Sequence, residues 1–373
     1  VSFRYVSGIN KPGFNPLAAQ TPTTTSTLFS WGQNTQGQLG LGNTTVRSSP
    51  NQVGVLTDWL KVAGGIYFSI TRKTDGTLWT WGQNNQGQLG LGDTTDRSSP
   101  VQVGALTAWN SVSGGWYHAV AVKTDGTLWT WGQNSTFGPL GLGNTTSYSS
   151  PKQVGSLTNW LTVAAGTYSV LAVKTDGTLW TWGKNTQGQL GLGDITSRSS
   201  PVQVGALTSW LSVAAGWYHA LAIKTDGTLW SWGRNVNGQL GIGNRTNYSS
   251  PKQVGALTNW LKISGGGYHT VSITTTGALY AWGNNAQGQL GLGNTTYYSS
   301  PKQVGSLTTW SAIGSGERFN ASVKTDGTMW TWGQNVRGQL GLGNTTYYSS
   351  PKQVGSLTTW LSVACGRYFV LTL

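Results

Sequence analysis

Apolar and aromatic residues come in short runs along this chain, separated by stretches rich in Gly, Asn, Thr and Ser. The unit from Trp59 to Trp109 shows the pattern. Trp59–Ala63 reads as a first strand and ends at Gly64-Gly65, a turn signal. Tyr67–Lys73 is β-branched and aromatic, a second strand. Asp75-Gly76 follows, flanked by Thr on both sides, and predicts a tight hairpin because both central residues tolerate positive φ. Thr77–Trp81 alternates aromatic and smaller residues as a third strand. A Gly-rich loop then runs to Ser99, and Pro100–Gly104 reads as a fourth strand with Pro suited to its first position. Four short antiparallel strands in a unit of this length are the makings of a propeller blade.

The unit repeats. Its W-G tryptophan recurs as Trp31, Trp81, Trp131, Trp182, Trp232, Trp282 and Trp332, at steps of fifty residues with one step of fifty-one. The last copy stops at Leu373, where a Lys-Thr-Asp-Gly hairpin is due. The missing strand stands at the other end, where Thr27-Leu28-Phe29-Ser30-Trp31 matches Thr77-Leu78-Trp79-Thr80-Trp81. The expected fold is therefore all-β, a seven-bladed β-propeller with four antiparallel strands per blade. Its last blade is closed by strands from both termini, which removes the open sheet edges of an unclosed array. Residues 23–373 form the propeller. Residues 1–22 match nothing in the repeat and read as an extended arm, with Phe3, Tyr5, Phe14 and Leu17 as candidate partner-docking residues.

The pattern G-x-x-H-x-x-x-(V/I)-x-x-D-G-x-x-W-x-W-G-x-N-x-x-G-Q-L-G-x-G is carried in one unit by Gly216, His219, Asp226, Gly227, Trp232, Gly233, Asn235, Gly238, Gln239, Leu240, Gly241 and Gly243. It resembles the repeat of the regulator of chromosome condensation family. The resemblance spans Thr23–Leu373 and implies the seven-bladed propeller with a seam shared between the termini. Members of that family include a chromatin-bound exchange factor for a small GTPase, ubiquitin-ligase modules and a secreted inhibitor of β-lactamases. The exchange factor depends on an inserted hairpin wedge. Here the W-G spacing drifts by one residue, at Ser135-Thr136-Phe137, which leaves no room for one. The basic tail of the chromatin member is also absent from residues 1–20, which hold only Arg4 and Lys11. Neither activity is carried over.

Charge changes the picture less than its total suggests. The formal balance is +13, yet nine of the 23 cations occupy two repeated sites, Lys73, Lys123, Lys174, Lys224 and Lys324, then Lys152, Lys252, Lys302 and Lys352. Cations repeated once per unit are spread around the body, whereas a nucleic-acid site wants a concentrated stripe, so nucleic acid is not the expected partner. In a second set of units Arg47, Arg97 and Arg198 stand four residues before Asn51, Val101 and Val202, where the others pair Tyr148, Tyr248, Tyr298 and Tyr348 with the lysines. This swap predicts a contact within the blade.

No enzyme is expected. Five of the ten acids, Asp75, Asp125, Asp176, Asp226 and Asp326, open hairpins. Paired catalytic carboxylates need unequal environments, which equivalent turn residues lack. His118, His219 and His269 share a position that other units fill with Phe68, Ser169, Phe319 and Phe369, which predicts packing rather than metal binding. No metal or cofactor is expected, and no apolar run is long enough to span a membrane.

Nineteen of the 21 tryptophans repeat and read as core. Trp116 and Trp217 do not. They share a turn position with Ile66, Thr167, Gly267, Glu317 and Arg367, where no framework demand is visible. Following the strands up and down puts this turn on one face, beside the long loop after W-G, with the D-G hairpins on the other. Ile66, Trp116, Thr167, Trp217, Glu317 and Arg367, with Tyr297 and Tyr347 in the outer loops, are the candidate binding residues. The weakly charged surface, 9% charged against about a quarter in a typical domain, fits a structural protein on the outside of a virion, a phage appendage docked by its arm. Its expected partners are other structural proteins of a virion or extracellular assembly, and a cell-surface receptor or glycan on the variable face. The alternatives are a secreted inhibitor or adaptor of one soluble protein, and a polyanion or chromatin-type binder. The expected compartment is the virion or extracellular space, with the cytoplasm as alternative.

Overall fold

The computed structural model describes residues 26–134 and 136–373. The expected arm with Phe3, Tyr5, Phe14 and Leu17 lies outside them. The described residues form seven four-stranded antiparallel sheets arranged as blades around a channel. In blade 1 the strands are Trp59–Gly64, Phe68–Lys73, Leu78–Gly82 and Arg97–Gln102, from the channel outward. Blades 2 to 6 repeat this order. The seventh blade is assembled from both ends of the chain: Val363–Cys365 and Phe369–Thr372 inside, Phe29–Gly32 and Arg47–Gln52 outside. Phe29 pairs with Thr372, Ser30 with Leu371 and Trp31 with Val370, so the expected seam is present and leaves the ring without an opening between its first and last blade.

One boundary differs. The fourth strand begins at Arg97 rather than Pro100, and Pro100 sits inside it. Proline is tolerated because this strand is the outer edge of its sheet, and its register shifts between the partners of Thr80 and Gly82.

The repeated residues explain themselves through contacts between blades. Each W-G tryptophan donates its indole N–H to a main-chain oxygen in the G-Q-L-G loop of the preceding blade, which reads G-P-L-G where Trp182 meets Pro139. Trp81 reaches Gln38 at 2.9 Å and Trp282 reaches Gln239 at 3.0 Å. Trp31 reaches Gln339 at 3.0 Å and so closes the ring. All seven are fully buried. The loop glycine beneath each is needed twice over: Gly241 has φ +73°, and a Cβ there would stand 2.5 Å from Trp282 Nε1.

The repeated cations are also framework. Lys174 Nζ lies 4.7 Å above the Trp160 ring and 3.9 Å above Trp180, and Lys224 and Lys324 sit alike between their own tryptophan pairs. The outer-strand swap is a contact within the blade, as expected: Lys152 lies 5.3 Å over the Tyr148 ring, whereas Arg97 and Arg198 each reach an aspartate, Asp93 and Asp194, at 2.6 Å. The three histidines are buried. His219 Nε2 meets Thr270 Oγ1 and His269 Nε2 meets Asn320 Oδ1, both at 3.0 Å across a blade boundary, so these two bond between blades, whereas His118 has no hydrogen-bond partner and only packs.

Candidate functional site

In every blade the turn between the first and second strands lies at the mouth of the channel, on the face that also carries the loop after W-G. The main-chain bond from Gln83 N–H to Tyr67 O, 3.0 Å, ties the two together. On the opposite face Trp109 N–H bonds Gly76 O, joining the strand links to the D-G hairpins.

The variable turn position does carry a framework demand, but on its main chain only. Ile66 N–H bonds Gly115 O at 3.1 Å, Trp116 N–H bonds Thr167 O at 3.2 Å, and Trp217 N–H bonds Gly266 O at 3.4 Å. Gly267 N–H bonds Glu317 O, Glu317 N–H bonds Arg367 O and Arg367 N–H bonds Ile66 O, each at 3.2 Å. The turns thus form a belt around the mouth, with one gap among the described residues, between Thr167 and Trp217. Because the belt uses backbone alone, the side chains are free to differ.

Those side chains do not line an open surface as expected. Ile66, Thr167 and Glu317 are only 7%, 2% and 4% exposed. Together with the half-buried Trp217 and Arg367 they line a cavity of about 350 Å³ within the channel, and the half-buried Trp116 stacks on Trp217 beside it. The Trp116 ring lies 5.6 Å from Tyr117, 5.6 Å from Tyr168 and 6.3 Å from Trp217, with all planes within 25° of parallel. The Arg367 guanidinium stands 5.5 Å over Trp217 and donates to Glu317 Oε2 at 2.6 Å and to the Tyr67 hydroxyl. Glu317 Oε1 also meets Arg318 Nε at 3.4 Å. Burial opposes the Arg367 charge, but the Glu317 hydrogen bond and carboxylate outweigh it and hold the guanidinium proton more tightly than usual. Burial first, then Glu317, pushes the Tyr368 phenol up to about 12.

Tyr297 and Tyr347 sit apart in the outer loops and do not line the mouth. The Tyr297 hydroxyl accepts from Asn284 Nδ2 at 3.1 Å, and Tyr347 is 42% exposed. At their position Asp96, Ser147, Ser197 and Asn247 accept the main-chain N–H of Asn84, Asn134, Asn185 and Asn235 at 2.7–3.1 Å, a local structural duty.

Two further positions join the site. One residue after the variable position stand Tyr67, Tyr117, Tyr168, Tyr218, Tyr268, Arg318 and Tyr368, a collar broken by a single arginine. The residue after W-G is Gln33, Gln83, Gln133, Lys184, Arg234, Asn284 or Gln334. Lys184 Nζ lies 5.8 Å from the Tyr168 ring and 5.5 Å from Tyr218, and Arg234 lies 5.7 Å from Tyr218 and 5.5 Å from Tyr268. The signal was present in the aligned copies as a change from amide to cation at one repeat position.

Among the described residues no group of three or more His, Cys, Asp or Glu side chains could hold a metal ion. No helix among them is long and apolar enough to cross a membrane.

A family model described as the RCC1-like domain matches residues 14–216. A second, the regulator of chromosome condensation (RCC1) repeat, matches 226–273, 276–323 and 326–373. No curated protein matches the sequence. Among solved structures, Prp20p from Saccharomyces cerevisiae, studied with its binding to Gsp1p and histones, is 21% identical. The match covers 94% of this chain and 91% of that one, with a TM-score of 0.83. The yeast RCC1 (Prp20) bound to Kap60 is 20% identical over 100% and 95% of the two chains, TM-score 0.85. Human WBSCR16 is 22% identical over 93% and 99%, TM-score 0.82. At these identities the likeness shows the fold. It also corrects the expected setting. These three structures are of a yeast and a human protein, and the partners described for the yeast protein are Gsp1p, histones and Kap60. The phage appendage, its virion or extracellular partners, the surface receptor and the glycan have no support there and are withdrawn. The expectation misread a weakly charged surface, which follows from Gly-, Asn- and Thr-rich loop chemistry, as a sign of compartment.

Proposed function

This chain belongs to the regulator of chromosome condensation repeat family, and from that premise we propose that it is a protein-binding propeller that docks a partner on the channel-mouth face. One observation carries the reading. Most repeat positions perform the same structural task in each blade, whereas Trp116, Trp217, Glu317 and Arg367 come from four blades, differ from their equivalents and meet in one cluster. Partly exposed Trp and Arg over a fixed main-chain belt are the residues that anchor protein interfaces. Prp20p, described by its binding to Gsp1p and histones, gives the fold a protein-binding precedent.

A non-catalytic role fits the acids. Asp75, Asp125, Asp176, Asp226 and Asp326 each accept from a threonine in their own turn. Asp93 and Asp194 hold arginines, Asp58 holds Lys73, Asp96 caps Asn84, and Glu317 holds Arg367. All ten are occupied in holding structure. The cytoplasmic alternative for its compartment belongs with this reading.

The test is site-specific photo-crosslinking in extracts of the source cells, with the photoreactive residue at Tyr218 or Tyr347 on the mouth face, or at Leu207 or Leu257 on the other. Protein adducts from the mouth-face positions, lost on Trp217→Ala, are expected. Adducts only from Leu207 or Leu257 would refute the assignment.

A further inference from the structure

Resting on that protein-binding reading, we infer that the partner is held through an acidic segment laid across one half of the mouth, over Lys184, Arg234 and Arg318. Repeated cations are spent on the scaffold: lysines on tryptophan or tyrosine rings, Arg97 and Arg198 on their aspartates. The mouth cations Lys184 and Arg234 also lie on aromatic rings, Lys184 at 4.9 Å from Phe137, but they stand where the other blades carry an amide and so serve no contact that the repeat requires. Lys184 and Arg234 flank the Tyr218 ring at 5.5 and 5.7 Å, and neither has a carboxylate at ion-pair distance among the described residues. Arg318 shares Glu317 at 3.4 Å, but Arg367 already holds that carboxylate at 2.6 Å. Four cations thus face one carboxylate, an excess of three positive charges on this half. In the other five blades the residue after W-G is neutral: Gln33, Gln83, Gln133, Asn284 and Gln334.

Unused hydrogen-bonding groups lie in the adjacent turns of blades 2 and 3. The Thr167 hydroxyl, on a residue 2% exposed that lines the mouth cavity, has no partner, and neither has the Trp116 indole N–H beside it. Thr167 also stands at the gap in the main-chain belt. Buried donors left unmade favour a ligand that brings acceptors, and positive charge at a partly dry rim favours that those acceptors be anionic. A carboxylate-bearing segment supplies both. Nucleic acid fits less well. Bases need free aromatic faces, and the Trp116 ring is already stacked among Tyr117, Tyr168 and Trp217.

Fluorescence anisotropy of the intact chain with a fluorescein-labelled peptide of alternating glutamate and glycine tests this. Lys184→Gln with Arg234→Gln should weaken binding about tenfold at low salt, with the difference shrinking as salt shortens the range of the charges. Lys252→Gln with Lys302→Gln removes the same charge from the outer strands and should change affinity less than about twofold. Equal losses in the two double variants, no peptide binding by the intact chain, or tighter binding of an oligothymidine of equal charge that the Lys184/Arg234 variant also loses would overturn the inference. If mouth-face crosslinks to a protein persist unchanged in the Lys184→Gln, Arg234→Gln variant, the acidic segment is wrong and the protein-binding reading stands. If mouth-face crosslinks are absent altogether, both fall.

Discussion

Replacing His118 by phenylalanine should change how the protein responds to acid more than it changes the protein at neutral pH. The His118 ring is fully buried and neither nitrogen has a hydrogen-bond partner. Blades 1, 6 and 7 fill the same place with Phe68, Phe319 and Phe369, all fully buried, so the site accepts a phenyl ring. Burial lowers the His118 pKa from 6.5 to about 4. Between those values the unfolded chain binds a proton that the folded chain refuses, so folding stability is complete above 6.5 and falls as pH drops toward 4. At about 1.4 kcal/mol per pH unit, this one side chain accounts for a loss of about 3 kcal/mol across that window. His219, lowered to about 3, and His269, lowered to about 4, add to the slope in the same direction. The turn aspartates, such as Asp125, are lowered from 3.8 and lose their contribution only below that value, outside the window. Urea unfolding at about pH 7 and about pH 4.5 should show His118→Phe equal to or somewhat more stable than the parent at neutral pH, since an unpaired polar ring is replaced by an apolar one. At the acid end it should gain about 2 kcal/mol. Parallel behaviour of the two proteins across the range would refute the reasoning.

A pair of glycines separates backbone strain from packing. Gly241 and Gly255 have φ of +73° and +59°, but a Cβ at Gly241 meets Trp282 Nε1 at 2.5 Å, whereas at Gly255 nothing lies within 4 Å. Gly255→Ala should cost about 1–2 kcal/mol in urea denaturation, and Gly241→Ala about 3–5 kcal/mol, because overpacking and a displaced indole hydrogen bond are added. Equal costs would show that the loop does not cradle the tryptophan. Glu317→Gln leaves the half-buried Arg367 guanidinium without its carboxylate and should destabilise the protein by about 1–3 kcal/mol in the same measurement. A loss below about 0.5 kcal/mol would show that the clamp is not a structural tie. Asp194→Asn, by contrast, breaks an ion pair whose side chains are 30% and 41% exposed and should cost less than about 1 kcal/mol. Asn43, Asn144 and Asn244 already occupy the equivalent loop position, so a larger loss in thermal unfolding would contradict the loop's assigned geometry.

What a repeat discloses from its letters is whatever each copy must do identically. The W-G tryptophan and the loop glycine before it serve a contact made seven times over, and the D-G hairpin recurs in five blades for the same reason, so reading one unit suffices to place them. The lysine–tyrosine swap was legible for a related reason: both partners lie in one blade, so their exchange shows in a single alignment of copies. Pro100 was misplaced because the shifted register of an edge strand is a property of pairing with Gly82, which no spacing records. The mouth was half legible. Disagreement among the copies marked Ile66, Trp116, Thr167, Trp217, Glu317 and Arg367 as one position, but not that they meet. Trp116 and Trp217 are stacked although a whole blade stands between them in sequence, and Arg367 reaches Trp217 from three blades away around the ring. Only closure of the seam brings those side chains to one axis, and closure also buries half of them. The tyrosine collar escaped notice for the opposite reason: six repeated tyrosines look like scaffold, and it takes the cations between their rings to show that this conserved-looking position is the floor of a surface. In a closed ring, repetition marks the frame, and the residues that break it gain chemical meaning only where the geometry gathers them.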